Sequence, residues 1–159
     1  MHIATKSSKI DISSEQKTEI ISKKFSEYLK MGDIIFLFGE IGVGKTTFIK
    51  YFINHLQKKN NLTQTEIPSP TFNIVNEYRV NDLIIQHYDL FKLKDSNEIE
   101  NIGLFENYPS IITFVEWPEI IEKKPENRTD LLFNYEDNLT KRSLIISSTY
   151  KKKLMDEFK

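Results

Sequence analysis

The sequence predicts an α/β domain whose sheet mixes parallel and antiparallel strands. Three observations carry that prediction. Two short runs, the continuous apolar "IIFLF" at 34–38 and the largely apolar "IITFV" at 111–115, have the pattern of strands buried on both faces. Around them lie stretches with apolar residues at helical spacing. Two pairs of β-rich segments, each joined by a short polar turn, read as hairpins. Alternation of this kind layers helices on a sheet.

The first element is a helix within "SSEQKTEIISKKFSEYLKMG", residues 13–32. Ser13 or Ser14 supplies its cap, Ile20, Ile21, Phe25, Tyr28 and Leu29 share a face, and Gly32 stops it. "IIFLF" follows as the first buried strand. After a glycine-bearing loop, Phe48, Ile49, Phe52, Ile53 and Leu56 recur at helical spacing. Residues 58–68 are a polar loop. Segments 71–80 and 83–91 are rich in β-formers, and Asn81-Asp82 between them suits a tight hairpin. Residues 95–108 read as a helix capped by Asp95 or Ser96. "IITFV" is the next buried strand. Residues 128–135 and 142–150 form a second hairpin around "EDNLTK". The tail "YKKKLMDEFK" reads as a solvated terminal helix. No repeat, low-complexity tract or linker interrupts the chain, so residues 1–159 are expected to form a single domain.

Composition narrows the function. With 28% charged residues and a net charge of −1, the chain lacks the basic balance of a bare electrostatic nucleic-acid binder. It has no cysteine, which excludes disulfides, thiolate zinc sites and cysteine nucleophiles. The longest apolar run, Ile34 to Phe38, is far too short to span a bilayer. The opening residues have no apolar core like that of a signal peptide. A cytoplasmic location is expected.

The glycines point to chemistry. Three of the five, Gly39, Gly42 and Gly44, fall in one six-residue window. With Lys45 and Thr46 they satisfy G-x-x-x-x-G-K-[ST], the phosphate-binding P-loop pattern, between a buried strand and a helix as that pattern requires. Successive backbone N–H groups turn inward toward phosphate oxygens, Lys45 reaches the β- and γ-phosphates, and the Thr46 hydroxyl suits magnesium. The following helix adds about half a positive charge at its N-terminus. The fold expected is therefore a P-loop NTPase-like three-layer domain with a mixed parallel/antiparallel sheet. Such a site also needs an acid for the metal. Glu116 follows "IITFV" and Asp89 closes "LIIQHYD", both at strand ends. Spacing does not decide between them.

Three further blocks occur in order: "SPTF" at Ser69–Phe72, "HYDLFKL" at His87–Leu93 and "VEWPE" at Val115–Glu119, with "EIENIGL" between the last two. Together with the loop, they make the chain resemble the bacterial TsaE (YjeE) family over nearly its whole length. That family is the ATPase component of the system that makes threonylcarbamoyladenosine on tRNA. The resemblance implies that Gly42, Val43, Gly44, Lys45, Thr46 and Thr47 bind the ATP phosphates, that Thr46 and Glu116 hold Mg2+, and that Asp89 is the further acid for hydrolysis. It implies a switch role for Ser69 and Thr71, a place near the nucleotide for Trp117, and a base site between Glu15 and Leu139. TsaB and TsaD are the implied partners, with contact to tRNA indirect. His87 is either a polar residue behind the site or a structural histidine, and both readings stand. One departure is Phe91-Lys92, where the family usually has tyrosine-arginine, which removes a fork-shaped guanidinium.

Missing motifs count too. Without N-K-x-D a GTPase is disfavoured, and without an S-G-G signature so is a transporter-type ATPase. The alternative reading is a small-molecule P-loop kinase. Such kinases usually close an arginine-bearing lid, whereas the three arginines here, Arg79, Arg128 and Arg142, lie far apart.

Overall fold

The computed structural model describes residues 3–159. In chain order its elements are β1 (Thr5–Lys6), β2 (Ile10–Asp11), α1 (Glu15–Ser26), β3 (Ile34–Phe38), α2 (Lys45–Lys59), β4 (Val75–Val80) and β5 (Leu83–Asp89). Then come α3 (Asn97–Asn101), β6 (Ile112–Glu116), β7 (Thr129–Glu136), β8 (Lys141–Ser148) and α4 (Lys152–Glu157). One sheet runs β1-β8-β7-β3-β6-β5-β4, with β2 also paired to β8. β3 lies parallel to both β6 and β7, and β6 lies parallel to β5. The hairpins β4–β5 and β7–β8 are antiparallel. Four strands, β3, β5, β6 and β7, therefore end at the same edge of the sheet. Ligands of open α/β sheets bind at such an edge.

The "IIFLF" run is central because both its faces are covered. Ile35 and Leu37 join the core beneath α1 and α2, while Ile34 and Phe36 join a second core on the opposite face. On the first face Phe25, Phe48 and Phe133 stack edge to face, and Phe52 does the same with Phe114. The second face is covered by α3 and the turns around it, through Leu90, Phe105 and Ile121. These are three layers, the third thin and mostly irregular. No helix among the described residues is long and apolar enough to cross a membrane.

Several expectations change in detail. Helix α1 is shorter than residues 13–32, and Ser14 is its cap, its hydroxyl accepting the Lys17 N–H at 3.2 Å. Its buried face runs through Thr18, Ser22 and Phe25, leaving Ile20 exposed. Small hydroxyl residues let α1 approach α2 closely, and the Ser22 hydroxyl donates to the Phe48 carbonyl at 2.8 Å. The helix expected over 95–108 lasts five residues, because Gly103 and Phe105 both adopt left-handed backbone angles. The tail is not solvated. Leu154, Met155 and Phe158 are buried in the main core, and Lys151 pairs with buried Asp33 at 2.7 Å. Strands β1 and β2, absent from the sequence reading, edge the sheet along β8.

Candidate active site

The loop after β3 and the start of α2 meet the ends of β5 and β6 around one cleft of about 390 Å³. Its lining includes Gly42, Gly44, Lys45, Thr46, Thr47, Ser69, Thr71, Asp89, Glu116 and Trp117. The sequence had singled out every one of these. Ile41 and Phe91 complete the wall. Neither had been assigned to the site, although Ile41 lies inside the P-loop pattern and Phe91 inside "HYDLFKL".

Backbone geometry explains two of the glycines. Gly39 has φ +147°, and a β-carbon there would come 2.8 Å from the Phe133 carbonyl oxygen. Strand β7 thus packs directly behind the loop. Gly44 has φ +117°, yet a β-carbon there would meet nothing within 4 Å. It precedes the first turn of α2, offers no side-chain cap, and no acidic residue lies in that turn. The leading N–H groups of α2, which a helix cannot satisfy internally, are left for an outside acceptor. Val43 is buried in the core and so offers the site only its backbone. At the crest, the Tyr135 hydroxyl donates to the Ile41 carbonyl at 3.0 Å, a brace from β7 that no sequence pattern announced.

Lys45 is buried and lies across the cleft floor. Its ammonium donates to the Gly39 carbonyl and, at 3.4 Å, to that of Glu40. It also sits 3.8 Å from the centre of the Trp117 ring. Burial pushes the ammonium below the ordinary lysine range, and the charges of Glu116, Glu119 and Asp89 oppose that shift. Trp117 holds this position with a left-handed backbone, φ 58° and ψ 52°, and packs against Phe91. Such angles are strained for a bulky residue and tend to cluster at functional sites.

The two acids occupy one rung of the sheet, since Asp89 on β5 is the register partner of Glu116 on β6. Glu116 accepts the Thr46 hydroxyl at 2.7 Å on Oε1. Asp89 accepts three donors: the Ser69 and Thr71 hydroxyls on Oδ2 at 2.7 and 2.8 Å, and the Phe91 N–H on Oδ1 at 3.0 Å. Behind that clasp Ile74, a β-branched residue, is held at φ 70°, and its carbonyl accepts the Asp89 N–H at 2.9 Å. Among the described residues no cluster of three or more His, Asp or Glu forms a metal cage. Magnesium needs none, because it takes one or two carboxylates and completes its shell with phosphates and water. The Thr46–Glu116 pair fits that donor set.

A family model described as "Threonylcarbamoyl adenosine biosynthesis protein TsaE" matches residues 12–144. The chain belongs to the TsaE family. Curated TsaE proteins agree: 37% identity to that of Rickettsia felis over 111 residues, 70% of this chain and 63% of the relative. The Bacillus subtilis protein is 34% identical over 119 residues, 74% of this chain and 71% of that one. The chain thus spans under two thirds of the Rickettsia felis protein's length. A solved structure titled "Crystal structure of Bacillus subtilus YdiB" shares the fold, with a TM-score of 0.76 over 99% of this chain and 97% of that one, at 24% identity.

In this TsaE-family chain the structure does not bring every proposed residue to the cleft. Glu15, at the start of α1, accepts the Tyr51 hydroxyl at 2.6 Å and lies 3.7 Å from the Lys50 ammonium. Leu139 is exposed in the β7–β8 turn. Neither is part of the cleft lining. Lys92 has its ammonium 3.6 Å from the Phe72 ring centre.

Proposed function

We propose that this chain is a magnesium-dependent ATPase serving the biosynthesis of threonylcarbamoyladenosine in tRNA, acting in the cytoplasm with TsaB and TsaD. The observation that carries the ATPase reading is the convergence of Lys45, Thr46, Glu116 and Asp89 on one cleft beneath a phosphate-type glycine loop. Membership of the TsaE family, with relatives named for threonylcarbamoyladenosine biosynthesis, supports the pathway. The base site at Glu15 and Leu139 rests on the family resemblance and extends beyond the cleft lining.

Each side chain has a task. The N–H groups of the loop and of the first turn of α2 bind the phosphates. Lys45 exchanges its two carbonyl contacts for β- and γ-phosphate oxygens. Thr46 and Glu116 would hold magnesium, which supplies neutralisation of phosphate charge when bound. Asp89 orients the attacking water when Ser69 and Thr71 release its carboxylate.

Nothing in the cleft lining is an arginine among the described residues. Arg79 pairs with Glu77, Arg128 pairs with Asp130 and Arg142 lies over the Tyr135 ring, all three outside the cleft lining. A missing arginine finger costs about 10³–10⁵ in rate. The lone chain therefore turns ATP over slowly, and a partner completes the site. Phe72, 84% exposed at the end of "SPTF", is the natural handle for that partner. The test is steady-state ATP turnover by the lone chain and by its mixture with TsaB and TsaD, with Lys45→Ala as control. Stimulation that Lys45→Ala abolishes supports the reading. Rapid turnover by the lone chain, unchanged by the pair, contradicts the partner requirement.

A further inference from the structure

The imidazole of His87 is fully buried, and neither ring nitrogen has a hydrogen-bond partner. Buried polar side chains are nearly always bonded, so an orphaned ring asks for a reason. Its position in β5 supplies one. Alternate residues of a strand share a face, which puts His87 on the same side as Asp89. In the register His87 pairs with Phe114 and Asp89 with Glu116, so the imidazole stands one step to the core side of the two acids. Its Nε2 lies 3.4 Å from Oε2 of Glu116. The other oxygen of that carboxylate, Oε1, holds the Thr46 hydroxyl at 2.7 Å.

We infer that His87 is a positioning residue for Glu116, its Nε2–H fixing the plane of the carboxylate so that Oε1 stays beside Thr46 on the cleft side. This rests on the ATPase reading above. A carboxylate held at one oxygen alone swings about its terminal bond, and swinging carries Oε1 off the Thr46 side. A donor on the second oxygen prevents this. With the ring proton on Nε2, a small adjustment of distance and direction brings the contact into the roughly 2.7–3.2 Å range of a hydrogen bond. Partners that orient a metal ligand in this way are worth about 10–100-fold in metal affinity. A ring serving only to fill space would make no demand on its nitrogen.

Two substitutions separate the roles. Glutamine can place an amide N–H close to the Nε2 position, whereas leucine fills similar space with no donor. ATP binding to the full chain is titrated at rising magnesium and again in chelator, and thermal melting is recorded without nucleotide. Positioning predicts that His87→Leu needs about tenfold more magnesium, keeps its metal-free ATP affinity within about twofold, and that His87→Gln restores most of the loss. The inference is overturned if His87→Leu matches wild type in its magnesium requirement. It is equally overturned if metal-free and magnesium-supported binding fall together, or if His87→Gln behaves like His87→Leu. Wild-type protein that binds no ATP at all overturns the ATPase reading itself, and the inference with it.

Discussion

Gly39 and Gly44 sit five residues apart in one loop, and alanine at each should fail in a different way. At Gly44 a β-carbon would touch no protein atom, so the cost to the fold is the backbone angle alone, φ +117°. Unfavourable angles of this kind cost about 1–3 kcal/mol. For a chain of this size that lowers the melting temperature by about 2–12 °C. The new methyl group would, however, stand in the open space where phosphate is expected, so ATP affinity should fall by at least an order of magnitude. At Gly39 the same angular strain is joined by a collision, 2.8 Å from the Phe133 carbonyl oxygen, which is backbone and cannot swing aside. Overpacking adds about 1–3 kcal/mol, for a combined 2–6 kcal/mol. That is a large part of a typical total stability of about 5–15 kcal/mol. Thermal melts and ATP titrations on both variants measure the two effects. Gly44→Ala with wild-type ATP affinity, or Gly39→Ala no less stable than Gly44→Ala, would refute the reasoning.

The remaining predictions concern the acids and the tail. Glu116→Gln should raise the magnesium needed for ATP binding. Asp89→Asn should keep ATP bound and slow hydrolysis; titrations with and without magnesium, beside single-turnover rates, decide it, and the reverse pattern exchanges the two roles. Because Leu154 is buried in the main core, Leu154→Ala should cost about 2–5 kcal/mol in chemical denaturation, whereas a solvated tail would register almost nothing.

The parts of this protein legible in its sequence are those whose chemistry forces a local spacing. A phosphate cradle needs its glycines, lysine and threonine within a few residues, and a strand buried on both faces is predominantly apolar. So the loop, β3, β6 and the acids at the ends of β5 and β6 could be read directly. What resisted was made by distant contacts. The burial of Leu154 and Phe158 depends on α4 packing against β8, with Glu157 reaching Lys24 and Tyr28, and no ten-residue window describes that. The Ser69 and Thr71 hydroxyls reach Asp89 across 20 and 18 positions, and only family resemblance marked that segment. Strands β1 and β2 are two residues each, too short for an alternation to show. Ile74 takes left-handed angles that its β-branched side chain argues against, so tertiary constraint alone puts it there.

The pairing of Asp89 with Glu116 on one rung makes the sheet a ruler. Hydrogen bonding keeps neighbouring strands about 4.8 Å apart, and that interval does not respond to movements of the surrounding loops. Whatever reshapes "SPTF" can hide or expose the Asp89 carboxylate, but it cannot change the distance between the two backbones that carry the acids. The site is therefore free in what approaches the pair and fixed in the gauge between them. A shift of β5 against β6 by one residue would turn Asp89 to the opposite face of the sheet, so loss of function from such a slip would be complete rather than graded.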